Sequence, residues 1–300
     1  MTKNKKPKYS FTQFFFNYFD NLGEMTLINL IMCIPIAVFT GLMVLTAYLT
    51  GQINIFVLFL GIPVTAPFFA GALYVGLKLT RGEVIRPIQD FFKGMKDNYK
   101  AFLLNSVIVY IISAGLYLTF SFYRGGLRET AVMAAFVLSF LFALFFICFE
   151  FGLVTMLVSV DIGFGAAVKN AVVLVAGGLV EHLKAIVVFL LTASVIYSAV
   201  LLSGNMVVGI IICAAAVLLF LPVLSAYIIV YNVFRVVERI VIAPFEQQKI
   251  QSRQAKEEIY KPDMDEMIAL AKGDPEEYVF LGGRMLKRKA VIKMIENRKQ

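Results

Sequence analysis

One acidic side chain, Glu150, lies deep inside a long apolar stretch of this sequence, in FFICFEFGLV. An ionisable group within a membrane-spanning segment is costly to bury, so by default it indicates a proton or substrate pathway. The alternative is structural: the carboxyl group reaches interfacial water, or it is protonated and bonded to a neighbour such as Asn105. The sequence leaves both interpretations open.

Prolines interrupt other apolar stretches and suggest a second place for a site. Pro63, Thr65 and Pro67 occur together in GIPVTAP. Each proline removes a backbone hydrogen bond that another group must replace, and interrupted helices of this kind form the substrate sites of many transporters. These three residues, with Asn105 and Glu150, are therefore the candidate site of a small-solute carrier. An ordinary kinked membrane helix is the alternative.

The sequence has none of the motifs that would indicate an enzyme: no GxxxxGK[ST], HExxH, CxxC or GxSxG is present. His182 is the single histidine and stands beside charged residues in VEHLK, where we expect an interfacial side chain. The three cysteines are isolated in apolar stretches and are expected to pack as small hydrophobic residues. We predict no catalytic activity, no cofactor and no metal site.

The elements that position these residues are predicted to be membrane-spanning helices. Hydrophobic residues make up 60% of the 300 positions and charged residues 16%, which is too apolar for a water-soluble domain of this length. No charge occurs between Glu24 and Lys78 or between Lys184 and Arg235. Each of these stretches exceeds the length of one span of about 20 residues, so each predicts a helical hairpin. The turns are expected at 50–52 and 203–205.

A third hairpin between these two completes an all-α polytopic membrane protein with six transmembrane helices. The predicted spans are about 26–49, 53–77, 101–123, 131–157, 185–202 and 206–233. A basic leader with an interfacial aromatic helix (1–25) precedes the membrane domain (26–234), and a charged tail (235–300) follows it. A flexible leader is the alternative for the first segment. Gly177 and Gly178 predict a bend before the fifth span, and the stretch from Asp263 to Gly273 predicts a short helix in the tail.

The basic residues predict the orientation of these spans. All lysines and arginines except Arg124 and Arg128 fall on the side that carries both termini. Basic residues in short loops are retained on the cytoplasmic side. Both termini are therefore expected to be cytoplasmic.

Two basic segments are candidate binding surfaces for anionic lipid head groups or for a protein partner. The first is the loop 78–100, where Phe91, Phe92, Met95 and Tyr99 predict a short helix lying along the membrane. The second follows the Gly282-Gly283 pair in the tail. The candidate residues are Arg81, Arg86, Lys93, Lys96, Lys100, Arg284, Lys287, Arg288 and Lys289. A plain solvated surface is the alternative, and no nucleic-acid partner is expected.

The stretch GIPVTAPFFAGALYVGLKLTRGE and the following IQDFFKGMKDNYKAFLLNSVI resemble the YesL family of bacterial multi-pass membrane proteins. The matching positions are Asn29 in LINL, Pro63, Val64, Thr65, Ala72, Leu73, Tyr74, Asp90, Phe91, Phe92 and Asn98. The stretch from Asp161 through Ala166 to Asn170 is similar to the family's second cytoplasmic loop, so the resemblance covers roughly 20–240.

Two departures from the family pattern stand out. The LINL and Pro-Val-Thr elements share one helix in the short family form, whereas here they are separated as though a hairpin had been inserted. The tail beyond Pro244 has no counterpart in the family pattern.

No catalytic residue is established for that family, so none is carried over. The resemblance implies a bacterial plasma-membrane protein with an accessory role in sugar transport or its regulation. We therefore expect a non-enzymatic protein that assists a transport or regulatory complex in the lipid bilayer. The alternative is a small-solute secondary transporter that uses kinked helices and Glu150.

Overall fold

The computed structural model of the protein describes residues 10–52, 54–123, 130–248, 250–251, 264–281 and 284–299. The chain forms two compact units, Met1–Val241 and Ile242–Gln300, which we call the membrane unit and the C-terminal unit.

Helices make up nearly all of the described part of the membrane unit. They are α1 (Phe11–Asp20), α2 (Leu22–Thr50), α3 (Ile55–Phe59), α4 (Gly61–Arg81), α5 (Pro87–Tyr123), α6 (Thr130–Ser159), α7 (Phe164–Gly177), α8 (Leu179–Ser203), α9 (Met206–Leu219) and α10 (Leu221–Val237). A π-helical turn, Glu238–Ile242, follows α10. The interfacial helix predicted in the leader corresponds to α1.

Several of these helices are long and apolar enough to cross a membrane. Among the described residues five qualify: α2, α3 with α4, α5, α6 and α8. A sixth follows if α9 and α10, which meet at a bend of 54°, are counted as one span. The membrane unit is therefore all-α and polytopic.

Glycine residues make the predicted turns. Gly51 ends α2 with φ of 71° and Gly204 ends α8 with φ of 58°, a left-handed conformation that glycine adopts without strain. Asn205 then caps α9 by accepting hydrogen bonds from the backbone N–H groups of Val207 and Val208. The predicted bend at Gly177 and Gly178 is also present, as the break between α7 and α8.

The segment after the second span differs from its prediction. Residues 87–100 do not form a separate surface helix; they are the first part of α5, a single helix of 37 residues. This part packs against α4, where a Cβ on Gly71 would lie 2.6 Å from the backbone oxygen of Phe91. A Cβ on Gly94 of α5 would likewise overlap the side chain of Tyr74 on α4. The two helices approach so closely that Phe91 is buried between them.

Burial within the membrane unit is concentrated near the charged loops. The buried residues of α2 lie in its first half, those of α4 and α6 in or near their second halves, and those of α8 in its first two turns. In α10 burial continues from Val223 to Val237. The opposite halves of the helices expose many large apolar side chains, as expected where lipid replaces protein contacts.

Asn29 on α2 stabilises the break between α9 and α10. Its side-chain nitrogen donates to the backbone oxygen of Val217 at 2.6 Å, and its side-chain oxygen accepts from the backbone nitrogen of Val223 at 3.0 Å. Val217 lies in the last turn of α9 and Val223 in the first turn of α10, where helices leave backbone groups unpaired. One buried amide thus satisfies both sides of the break.

The described residues of the C-terminal unit form a short helix, a hairpin and a final helix. These are α11 (Met264–Leu270), β1 (Tyr278–Leu281), β2 (Arg284–Lys287) and α12 (Arg288–Lys299). β1 and β2 pair antiparallel, with Val279 opposite Leu286. The unit has its own apolar core of Met267, Val279, Leu281, Val291 and Ile295. The short helix predicted between Asp263 and Gly273 is confirmed as α11. Its expected cap, Asp263, lies outside the described residues, as does the Gly282-Gly283 pair.

Candidate functional site

Asn105 on α5 and Glu150 on α6 form a polar pair between two apolar helices. Asn105 Nδ2 donates to Glu150 Oε2 at 2.8 Å, and Asn105 is buried. Among the described residues, Asn105 Oδ1 and Glu150 Oε1 are buried without a hydrogen-bond partner. Both unpaired atoms are acceptors when the carboxyl group is ionised. The pair can therefore take up a proton or a small cation.

The depth of this pair follows from its place on α5. Asn105 is five residues beyond Lys100, which is about 7 Å along a helix axis. Lys100 is the last charged residue before the apolar part of α5. The pair therefore lies nearer to the charged end of the helix than to the middle of its apolar part, a position that favours the structural interpretation of Glu150.

The GIPVTAP residues lie apart from this pair. Pro63 and Thr65 are in the first turns of α4, and Pro67 is one turn further along. Because Pro63 cannot donate to the carbonyl of Phe59, the helix breaks at Leu60. Thr65 Oγ1 donates to the carbonyl of Gly61 at 2.7 Å, so its hydroxyl proton is used within its own helix. No hydrogen bond joins Thr65 to Asn105 or Glu150 in the described part of the chain.

The side chain of His182, in the first turn of α8, is fully buried at 0% exposure. Its Nδ1 lies 2.7 Å from the carbonyl oxygen of Gly178. A carbonyl only accepts, so Nδ1 carries the proton and Nε2 is an acceptor, which has no partner among the described residues. A Cβ on Gly152 would lie 3.4 Å from Nε2. The missing side chain of Gly152 provides room for the ring, and sequence spacing does not reveal this relationship.

The exposed face of the first part of α5 carries three bases. Lys93, Lys96 and Lys100 recur at helical spacing on the side opposite Phe91, and we call them the basic stripe. Beside them Phe92 and Tyr99 remain 44% and 48% exposed. A shallow groove of about 600 Å³ runs here, lined by Phe92, Met95, Lys96, Asp97, Tyr99 and Lys100. The stripe therefore combines positive charge with accessible aromatic surface.

The other two bases of this segment have different environments. Arg81 places its guanidinium 4.8 Å from the centre of the Phe234 ring and donates to the carbonyl of Ser159 at 3.4 Å, so it takes part in tertiary packing. Arg86 is exposed, and its backbone N–H donates to the Asp90 carboxylate at 2.7 Å. That carboxylate also pairs with Lys78 at 2.8 Å. Both arginines are exposed, and Arg81 also lies 3.9 Å from the carboxylate of Glu83.

The bases of the tail are engaged within the C-terminal unit. Lys287 and Lys289 each lie 2.7 Å from the carboxylate of Glu276, and Arg288 lies 2.7 Å from that of Glu277. The hydrogen bonds from Lys287 and Lys289 lower the pKa of Glu276, and the bond to Glu276 raises the pKa of Lys289. The side chain of Arg284, the fourth candidate, lies outside the described residues. The three described bases thus have carboxylate partners of their own.

No protein-family model, curated protein or solved structure matches this chain. The resemblance to the YesL family therefore stays a prediction. Among the described residues, no three His, Cys, Asp or Glu side chains come together in a way that could hold a metal ion.

Proposed function

We propose that this protein is a non-enzymatic accessory subunit of a transport complex in a bacterial plasma membrane, and that the basic stripe on α5 is its docking face. Its termini and basic loops are cytoplasmic in this proposal, as the distribution of lysine and arginine predicts. The resemblance to the YesL family suggests carbohydrate uptake as the process that it assists.

The observation that carries this proposal is the display of the basic stripe on a helix that is held firmly from behind. On the opposite face, Gly94 meets Tyr74 and Phe91 is buried against Gly71. The Lys78–Asp90 ion pair ties the two helices together near the loop. A surface fixed in this way loses little conformational entropy when a partner binds.

Lys96 and Lys100 of the stripe are also available to a partner, whereas the Lys93 ammonium lies 5.8 Å from the centre of the Tyr74 ring. Asp97 is the one acid among the residues that line its groove, against Lys96 and Lys100. In the described part of the chain, the three bases of the stripe form no salt bridge with a carboxylate, in contrast to Lys78, Lys287 and Lys289. The stripe therefore suits an acidic surface on a neighbouring membrane protein.

The polar side chains that a carrier would need are mostly used for structure. Asn29 satisfies the break between α9 and α10, and Thr65 donates to its own helix. A cavity of about 1000 Å³ between α2, α8 and α9 is lined mainly by apolar residues. This supports a docking role over solute transport.

Site-specific photo-crosslinking in cells tests the proposal. A photoreactive phenylalanine analogue replaces Phe92 or Tyr99 in the full chain. The control positions are Tyr48 and Tyr197, which are exposed near the C-terminal ends of α2 and α8, away from the charged loops. We expect one polypeptide, a component of a transport system, to crosslink at the first two positions and not at the controls.

Charge reversal provides the second arm of this experiment. K96E/K100E should abolish the crosslink, whereas K169E/K293E, which makes the same charge change at two exposed lysines elsewhere, should leave it intact. Crosslinking to lipid alone, or equal loss in both double variants, would contradict the docking role.

A second function, proton-coupled transport, is favoured by one observation: the two unpaired acceptor oxygens of Asn105 and Glu150. Liposomes that contain the purified chain and an entrapped pH-sensitive dye provide the test. If the pair conducts protons, an external acid pulse acidifies the lumen with the wild-type chain and not with Glu150→Gln, although the variant inserts normally. Equal acidification with both chains excludes this role for Glu150.

A further inference from the structure

A second cavity in the membrane unit differs from the others in the arrangement of its lining. It has a volume of about 580 Å³ and lies between the start of α1, the first half of α8 and the end of α10. Its lining includes Lys184, Arg235 and Glu181 and, further along α8, Val187, Val188 and Leu191. Its volume is within the usual range for small-molecule sites.

The change from charged to apolar lining coincides with the edge of the apolar stretch. Lys184 is the last charged residue before that stretch and Arg235 is the first one after it. Val188 and Leu191 lie four and seven residues beyond Lys184 on the same helix, or about 6 and 10 Å deeper. The cavity therefore runs from the level of the lipid head groups into the level of the acyl chains.

The charged end of the cavity favours an anion. Glu181 is its one acid, and the carboxylate lies 4.0 Å from the guanidinium of Arg239, outside the cavity lining. Among the described residues, Lys184 has no ion-pair partner. Of the charged residues that line the cavity, Lys184 and Arg235 are basic and Glu181 is acidic.

The wall on the α1 side is built from packed side chains. Tyr231 Oη donates to the backbone oxygen of Ser10 at 2.7 Å. The Phe14 ring lies 4.8 Å from that of Tyr227 and 5.2 Å from that of Tyr231, centre to centre. These contacts fix the start of α1 against α10, so the cavity is present before any ligand binds.

We propose that this cavity binds one anionic phospholipid, with the phosphate group between Lys184 and Arg235 and an acyl chain along Val187, Val188 and Leu191. A lining that combines charged and apolar residues matches an amphiphile and not a free anion, because a free anion would make no favourable contact with the apolar residues. The site is separate from the basic stripe on α5 and does not depend on the docking role.

Native mass spectrometry of the purified full chain tests this proposal, with phosphatidylglycerol and phosphatidylcholine added at equal concentration. We expect one phosphatidylglycerol to be retained in preference to phosphatidylcholine. K184Q/R235Q should weaken its retention by about fivefold for each charge removed. K169Q/K293Q removes two charges elsewhere and should retain the lipid like the wild type.

A second variant tests the acyl-chain end without changing charge. Val188→Trp fills the apolar end of the cavity, whereas Val195→Trp places the same side chain at an exposed position on the same helix. Val188→Trp should lose the bound phosphatidylglycerol, and Val195→Trp should keep it, with equal helicity by circular dichroism. Equal retention by both tryptophan variants would overturn the proposal, as would equal loss in both charge variants. Displacement of the lipid by millimolar inorganic phosphate would also overturn it, because the site would then recognise phosphate alone.

Discussion

The side-chain oxygen of Asn29 lies 3.0 Å from the backbone nitrogen of Val223, 194 residues later in the chain. Together with the bond from Asn29 Nδ2 to the carbonyl of Val217, this contact replaces a backbone hydrogen bond on each side of the break between α9 and α10. The bend of 54° in the last span therefore depends on a residue of α2.

Asn29→Ala should lower the free energy of unfolding by about 2 kcal/mol, because it leaves the backbone N–H of Val223 without a partner among the described residues and leaves the Val217 carbonyl only the weak Cys33 thiol donor, at 3.5 Å. Asn98→Ala is the matched control, since among the described residues the Asn98 side chain bonds to a carbonyl of its own helix, that of Gly94. The control should lose well under about 1 kcal/mol. Reversible unfolding in bicelles measures both values. Equal losses in the two variants would show that the bridge contributes nothing specific.

Gly71→Ala should destabilise the pair of helices α4 and α5 by about 1 to 3 kcal/mol, because the new methyl group would lie 2.6 Å from the backbone oxygen of Phe91. Gly115→Ala on α5 is the control, since nothing lies within 4 Å of its Cβ position. The control should be neutral or stabilising, because alanine favours helix more than glycine does. Thermal denaturation in detergent distinguishes the two. A Gly71→Ala variant as stable as the wild type would contradict the close approach.

A double-mutant cycle on Asn105 and Glu150 should give a coupling energy of about 0.5 to 2 kcal/mol, as found for hydrogen bonds within membranes. Glu150→Ala removes the acceptor of Asn105 Nδ2, whereas Glu150→Gln keeps an acceptor and adds a donor that can reach the unpaired Asn105 Oδ1. We therefore expect Glu150→Gln to be at least as stable as the wild type and Glu150→Ala to be less stable. Zero coupling would mean that the bond does not form in the bilayer.

The C-terminal unit should loosen in acid through Glu276. Hydrogen bonds from Lys287 and Lys289 hold the pKa of this carboxyl group below its usual value of 4.5. Because the pKa in the folded state is the lower one, the stabilisation is complete above the unfolded-state pKa and is lost as the pH falls through the folded-state pKa. Methyl NMR of Val279 and Val291 in the full chain, followed from neutral to acidic pH, measures this loss.

Glu276→Gln should remove the part of this acid sensitivity that the two lysines cause. Glu296→Gln is the control, because Glu296 is exposed on α12 and has no salt bridge among the described residues. The control should keep the wild-type pH profile. A Glu276→Gln profile identical to that of the wild type would show that the ion pairs do not stabilise the unit.

Much of the membrane unit was predictable because the cost of burying charge and the preference of glycine for left-handed turns act locally. The charge-free stretches placed the hairpins, and Gly51 and Gly204 lie at the predicted turns. The bend at Gly177 and Gly178 followed from the same reasoning. Among the described residues, five helices are long and apolar enough to be the predicted spans, and α9 with α10 provides a sixth if the bent pair is one span.

The features that the sequence did not predict depend on contacts between helices. Residues 87–100 carry charges typical of a surface helix, yet Gly71 allows α5 to approach α4 and bury Phe91. His182 has charged neighbours in sequence but lies against Gly152. The bridge from Asn29 to Val223 joins residues that no local pattern connects.

The β1–β2 hairpin was also missed, because the Gly-Gly pair was interpreted as a turn before a basic segment.

The uneven burial along the helices bears on the choice of bilayer. Helices that are packed along their whole length fix one hydrophobic thickness, and a thinner or thicker membrane then strains them. Here the buried residues are concentrated near the charged loops, and the opposite halves of the spans have fewer buried contacts to resist a change in bilayer thickness. We therefore expect the protein to tolerate lipids of different chain length, with its anchoring level set by one leaflet alone.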